Sequence, residues 1–265
     1  METFSFWQGF DLVSDLKVGI AIITFQRPKL LNSLLESIKM HTSPEHEVVI
    51  FDDSGASLPP EENAWGFKHF TTILNYGVTF NKNRALYYFT EVNKKDVIIL
   101  IEDDCLIESP NWVDVWVNAT NEFGHINFEP KWFLDSYHSK FLILPSPAPD
   151  RPAIYSVVTG QVTGIKTELI RENVGYLNPI FRGFGYGHVE WTNRCVDLGF
   201  GGFNNNGKRN YYALNYGIVT QSSISNKNAT ILENNRIKFE KLNGKGEQVK
   251  IPWGDDSERD EFTMF

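Results

Sequence analysis

Three short apolar runs constrain this chain more than any other feature: VGIAIIT (18–24), EVVIFDD (47–53) and VIILIEDD (97–104). Each is rich in β-branched residues and lacks polar alternation, the pattern of a strand buried on both faces of a parallel sheet. Behind the first run, Leu30, Leu31, Leu34, Leu35 and Ile38 recur at helical spacing, with Pro28 placed where a helix can start. A weaker strand near FTTIL (70–74) and a helix from Thr79 to about Val92 continue the alternation. Strand, helix, strand, helix, strand at this spacing predicts an α/β fold with a central, mostly parallel sheet flanked by helices. Ligands in such sheets bind beyond the carboxyl ends of the strands. Here those ends carry Thr24, then Asp52 and Asp53, then Glu102, Asp103 and Asp104.

The second half changes character. Pro145, Pro147, Pro149 and Pro152 mark a loop, and IYSVVTGQVTGIKTELI reads as a strand, a turn and a helix start. A Gly-rich segment, FRGFGYGHVEWTNRCVDLGF, follows, with a helix expected from Glu190 to Leu198. GGFNNNGKRNYYALNYG reads as loop, and the last thirty residues show little periodicity. With no linker visible, the expectation is one domain: a nucleotide-binding half over about 17–110, an acceptor half over about 111–235, and a C-terminal extension over 236–265.

Bulk properties exclude several classes. A net charge of −8 argues against a duplex nucleic-acid binder, which needs clustered cations to meet phosphates, but leaves room for a single nucleotide. No window approaches the roughly 20 apolar residues of a membrane span. The opening METFSFWQGFDLVSDLK lacks the basic start and unbroken apolar stretch of a secretory signal. Cys105 and Cys195 are too far apart in sequence to suggest a disulfide framework or zinc site. A cytoplasmic protein with no membrane span is expected, with peripheral association left open by its 14% aromatic content.

Three segments could carry chemistry. Glu102, Asp103 and Asp104 offer hard oxygen ligands for Mg²⁺ or Mn²⁺, whose charge would offset their repulsion; a solvated acidic turn is the plain alternative. FDDSG places a carboxylate where it can accept from a base N–H or a ribose hydroxyl, although Asp-Ser-Gly also suits an ordinary β-turn. In NYGVTFNKNRAL (75–86), the amide-rich, positive helix start suits a phosphate or a polar base edge, or only a capped helix with a solvated face.

Taken in order, T-F-x-R-P, D-D-S, N-x-G-x-x-x-N-K-N-x-A and E-D-D resemble the family 2 inverting glycosyltransferases of the GT-A fold, over residues 18 to about 110. The resemblance implies that Thr24, Phe25, Arg27 and Asp53 hold the nucleoside, with Asp53 at a uracil ring. It implies that Asn75, Lys82 and Asn83 line the nucleotide pocket, that Glu102 and Asp103 belong to the same nucleotide-sugar site, and that Asp104 holds the metal of a D-x-D-type motif. TGQVTGIKTELIRENVGYLNPIFRGFGYGHVEW is similar to the acceptor segment of galactosyl- and N-acetylgalactosaminyltransferases. There the family carries Glu-Asp, the Asp being the general base, whereas this chain carries Gly187 and His188. His188 as base, Glu190 as base or acceptor-binding carboxylate, and His188 as metal ligand all stay open.

The resemblance implies a metal-dependent, inverting, non-processive hexosyltransferase. It would use Mn²⁺ or Mg²⁺ and a nucleotide-sugar donor, expected to be UDP-linked, with a glycan, glycolipid or protein as acceptor, as in polysaccharide or lipopolysaccharide assembly. Trp65, Tyr186 and Trp191 are candidates for stacking on sugar faces. The absence of Q-x-x-R-W and of membrane spans points away from a processive synthase. A sugar-nucleotide nucleotidyltransferase is the competing enzyme reading, weakened by the lack of glycine in ITFQRPKLLNS. An inactive nucleotide-sugar or glycan-binding module is the competing reading from another class.

Overall fold

The computed structural model describes residues 16–53, 66–134, 139–221, 228–242 and 246–265. Twelve strands are described: β1 (Val18–Thr24), β2 (Glu47–Asp52), β3 (Lys68–Thr71), β4 (Val97–Glu102), β5 (Cys105–Ile107), β6 (His125–Phe128), β7 (Leu142–Leu144), β8 (Ala153–Tyr155), β9 (Val162–Lys166), β10 (Gly202–Asn205), β11 (Lys208–Leu214) and β12 (Ile218–Thr220). Seven helices accompany them: α1 (Pro28–His41), α2 (Val78–Tyr87), α3 (Trp112–Phe123), α4 (Thr167–Glu172), α5 (Gly187–Asp197), α6 (Ala229–Leu242) and α7 (Asp256–Phe262).

Ten strands form one sheet in the order β3-β2-β1-β4-β9-β6-β11-β8-β7, with β10 paired to β11. The pairings β3-β2-β1-β4 are all parallel, and β11 pairs parallel to β6. β9 lies antiparallel between β4 and β6, so those two still run the same way. β8 and β10 are likewise reversed, which leaves most of the sheet running in one direction. This is the mostly parallel α/β sheet expected from the sequence.

The unalternating runs follow from burial on both faces. Ile20, Ile22, Val48, Ile50, Ile99 and Ile101 pack against α1 and α3 through Leu31, Leu34, Leu35, Ile38, Trp112 and Trp116. Their neighbours Ala21, Ile23, Val49, Phe51, Ile98 and Leu100 face the other way, onto Ala85, Leu86, Phe89, Trp191 and Cys195. A satellite core of Phe133, Ala153, Tyr155 and Ala213 lies under the far end of the sheet.

Several boundaries differ from expectation. α2 begins at Val78, ends at Tyr87 and continues as a π-helical turn over Tyr88–Val92. α5 starts at Gly187, three residues early. The segment expected as loop after residue 200 is a β-hairpin: Asn206 (φ 51°) and Gly207 (φ 83°) form the turn between β10 and β11. Two consecutive positive-φ residues are what a two-residue hairpin loop requires, and Asn-Gly supplies them cheaply. The last residues include α6 and α7, the second capped by Asp255 accepting from the Glu258 amide. No described helix is long and apolar enough to cross a membrane.

Candidate active site at the carboxyl edge of the sheet

β1, β2 and β4 run in register, pairing Thr24 with Asp52 and Ile23 with Glu102, so their polar ends emerge together. Just past β1, Gln26 adopts a left-handed φ of 51°, rare for a non-glycine residue and common at functional sites. Arg27 follows it and pairs with the wholly buried Asp103. Asp103 also accepts from the Thr24 hydroxyl at 2.6 Å. Burial, only partly offset by Arg27 and Thr24, pushes the Asp103 carboxyl up to about 7.

Lys82 reaches the same corner from α2. It is 2% exposed, and its Nζ lies 2.6 Å from Glu102 and donates to the Gly160 carbonyl at 2.5 Å. The sequence offered a solvated turn or a bound cation as the answer to three adjacent acids. The structure supplies a third: two protein cations, Arg27 and Lys82, stand among them.

Asp104 is the acid least tightly paired with a cation. Its Oδ2 is 3.8 Å from Arg27 Nη1, and its side chain keeps 13% exposure. Burial, with Glu102 nearby, raises its carboxyl to about 6. Among the described residues, no group of three His, Cys, Asp or Glu side chains is arranged to enclose a metal ion. A divalent ion would fit here only on one protein carboxylate, Asp104, taking its other oxygens from a diphosphate and water, as Mg²⁺ sites commonly do.

Past the end of β2, Asp53 is buried, and both of its oxygens are engaged. Oδ1 accepts from the Tyr76 amide at 2.9 Å and Oδ2 from the Gly77 amide at 2.5 Å. Burial outweighs these bonds and lifts the carboxyl to about 7. Asp53 thus shapes the 75–77 loop, where exposed Asn75 accepts from the same Gly77 amide at 2.9 Å. Phe25, the first residue after β1, is exposed.

Asn83 is committed to the scaffold: it donates to the Leu177 and Pro252 carbonyls and accepts from the Leu177 amide, each at 2.8 Å. Its neighbour Asn81, part of the amide-rich helix start marked in the sequence, spans the ends of β1 and β2 through the Thr24 and Phe51 carbonyls.

Gly77 brings in the second half. With φ at 96°, it makes a parallel bridge to Gly183, and a Cβ on it would stand 2.4 Å from the Gly183 nitrogen. That backbone contact seats the start of α5 against the start of α2. His188 then lies beside Gly160: a Cβ at Gly160 would be 3.2 Å from both His188 Cγ and Lys82 Nζ. His188 Nε2 is 3.1 Å from Asn127 Oδ1 and 3.3 Å from the Thr192 hydroxyl. Its Nδ1 is buried without a hydrogen-bond partner. Burial and the nearby Lys82 charge hold the imidazole neutral, well below its usual pKa.

Glu190 does not join the site. It is 5% exposed and forked onto Arg194 at 2.8 and 3.0 Å, and Arg194 in turn donates to the Val174 and Tyr176 carbonyls. Trp191 is wholly buried, its indole N–H on the Gly175 carbonyl, so it cannot stack on a sugar. Tyr186 packs against Phe239 with ring centres 5.3 Å apart, and Trp65 lies outside the described residues. Sequence reading also missed Asn127, Gln161 and Glu129, which no motif marks; Glu129 sits at the carboxyl end of β6.

No protein-family profile and no curated protein matches this sequence. Similarity appears in solved structures. A mannosyltransferase from Pyrobaculum calidifontis, solved with GDP-Man and Mn²⁺, superposes with a TM-score of 0.56 at 14% identity, covering 88% of this chain and 64% of that one. Residues 1–349 of S. aureus TarS superpose with a TM-score of 0.52 at 14% identity, covering 93% of this chain and 78% of that one. The chain therefore spans slightly less than two thirds of the mannosyltransferase. At these identities the likeness concerns the fold, and the GT-A glycosyltransferase fold is the one this chain adopts.

Proposed function

We propose that this protein is a metal-assisted, inverting glycosyltransferase that moves a sugar from a nucleoside diphosphate donor, expected to be UDP-linked, to an acceptor hydroxyl. The observation that carries this reading is the corner where Thr24, Arg27, Lys82 and the acids of β4 meet, at the edge where such sheets bind ligands. A diphosphate entering there would exchange carboxylate partners for its own oxygens on Arg27 and Lys82, so little new charge needs burying. Phe25, Asn75 and the loop braced by Asp53 would flank the base, and Asp103 would sit at the ribose. The acceptor would be a glycan, glycolipid or protein hydroxyl reached from the α5 side.

In a single displacement, the acceptor oxygen attacks the anomeric carbon opposite the leaving diphosphate, through an oxocarbenium-like state. A divalent ion held by Asp104 would stabilise the charge growing on the diphosphate. Arg27 and Lys82 add fixed positive charge at the same place, needing no reorganisation during the step. His188 enters as a neutral imidazole beside the 159–161 loop.

The test is a thermal-shift panel of UDP-, GDP- and TDP-sugars with and without Mn²⁺. A donor at a hundredfold its Kd stabilises by about 2.7 kcal/mol, a rise of roughly 5–11 °C for a chain of this size. Asp104→Ala is expected to abolish the Mn²⁺-dependent part. A shift insensitive to both Mn²⁺ and Asp104→Ala would remove the metal assignment, and no shift with any donor would remove the reading.

A further inference from the structure

The site still needs a group to take the acceptor's proton. Glu190 is locked to Arg194, and His188 has one nitrogen tied to Asn127 and the other buried. Glu129 has the required properties. It follows β6, whose direction matches β4, so it emerges at the same edge as Glu102 and Asp104. Its amide extends the ladder to the Leu214 carbonyl at 3.0 Å, which keeps the strand's pleat through this position. Side chains two apart on a strand share a face, so Glu129 lies on the face of Asn127, one step further toward the edge than the residue that touches His188.

A chain of contacts ties this position to the acid corner. The Thr159 hydroxyl donates to the Phe128 carbonyl, next to Glu129, at 3.3 Å. Gly160 then accepts from Lys82, and the Gln161 carbonyl accepts from the Glu102 amide at 2.8 Å. Three consecutive residues thus span from the root of Glu129 to the site of the expected leaving group.

Glu129 as a whole is 8% exposed, and among the described residues its hydrogen-bond partner is the Tyr155 hydroxyl, which donates to Oε1 at 2.6 Å. Among the described residues Oε2 has no hydrogen-bond partner, and it is open to solvent, where an acceptor hydroxyl can reach it. Desolvation raises the Glu129 pKa while Tyr155 restrains the rise. This face also carries Lys82, paired with Glu102, and Tyr155; its two imidazoles, His125, held near 4 by burial, and His188, are both depressed, so neither competes as a proton acceptor of ordinary strength.

Resting on the glycosyl-transfer reading above, we infer that Glu129 is the acceptor-side base, with Tyr155 as its positioning residue. The acceptor oxygen forms its bond to the anomeric carbon as the bond from that carbon to the diphosphate oxygen breaks. The electron pair leaves on the diphosphate, and the hydroxyl proton passes to Glu129 Oε2 and then to water.

The experiment measures nucleoside diphosphate release from whichever donor gives the largest thermal shift, with water in the acceptor's place. Glu129→Gln keeps the shape and can still accept from Tyr155. It is expected to lower turnover by roughly a hundred- to ten-thousandfold, with the donor-induced melting shift unchanged. Tyr155→Phe removes a bond that favours the ionised carboxyl, so the acidic limb of the pH–rate profile moves to higher pH; a purely structural tyrosine would leave that limb in place. Wild-type turnover in Glu129→Gln, or an unmoved limb in Tyr155→Phe, overturns this inference alone. Should Glu129→Gln fail to fold, the Tyr155→Phe profile still decides. Absence of any donor shift in the unaltered protein overturns the transfer reading, and this assignment with it.

Discussion

Glu190→Gln offers the sharpest test of how α5 is built. The side chain is 6% exposed and its two oxygens meet Nε and Nη2 of Arg194, itself 3% exposed. Neutralising one member leaves a buried guanidinium whose charge is met only by the Val174 and Tyr176 carbonyls. Breaking a buried pair in this way costs about 3–5 kcal/mol. For a chain of this length that corresponds to a fall in melting temperature of roughly 6–20 °C. Adding Arg194→Met should recover only part of the loss. The charge is then gone, but two carbonyls lose their donor, at about 1–3 kcal/mol each if water cannot reach them. The assay is thermal melting of the two single variants and the double variant, beside donor turnover measured well below each transition. Folded Glu190→Gln is expected to retain turnover within a few-fold. A variant that melts like the parent yet loses turnover a hundredfold would refute the reasoning and return Glu190 to the reaction.

Two further outcomes follow from Asp53 and the loop it braces. Asp53, at about 7 in the folded chain against 3.8 in the reference state, binds its proton more tightly when folded. Its contribution is therefore fully present below pH 3.8 and lost as pH rises to about 7, by at most about 4 kcal/mol. Urea unfolding of the parent and of Asp53→Asn across pH 4–8 should show the parent losing stability more steeply, and parallel curves would contradict this. Glu261 of α7 accepts from the Ile73 amide and the Tyr76 hydroxyl, each at 2.5 Å. Removing it as Glu261→Ala should cost about 1.5–3 kcal/mol and speed amide exchange at Tyr76 and Gly77; unchanged exchange there would show that α7 does not brace the loop.

Strands β1, β2 and β4 were legible because residues buried on both faces must be apolar throughout, and Ile20 to Ile23 and Val97 to Ile101 satisfy that without exception. The β10–β11 hairpin is masked by its composition: a run of asparagines and glycines resembles loop, and only the turn geometry of Asn206-Gly207 marks it. At the candidate site, motif order singles out Thr24, Arg27, Lys82, Glu102, Asp103 and Asp104, which the fold gathers at one corner. It did not reveal that Asn83 and Glu190 are consumed by the scaffold, since partners at Leu177, Pro252 and Arg194 are set by tertiary packing. Glu129 carries no local signature, and only strand direction brings it to the relevant edge.

The reversed strand β9 has a consequence for how such a protein could be diversified. It belongs to the later half of the sequence yet pairs residue by residue with β4 from Val97–Lys166 to Ile101–Val162, and its other edge holds β6. The seam between the two halves is therefore a mortise inside the sheet, not a surface where modules dock. A chimaera that exchanges everything after residue 110 would replace the strand that plugs β4, and register mismatch there would be felt by both halves. Exchangeable material lies outside that joint, at the exposed tip of the β10–β11 hairpin around Asn206-Gly207, where sequence can drift without disturbing the strand that holds the acids in place.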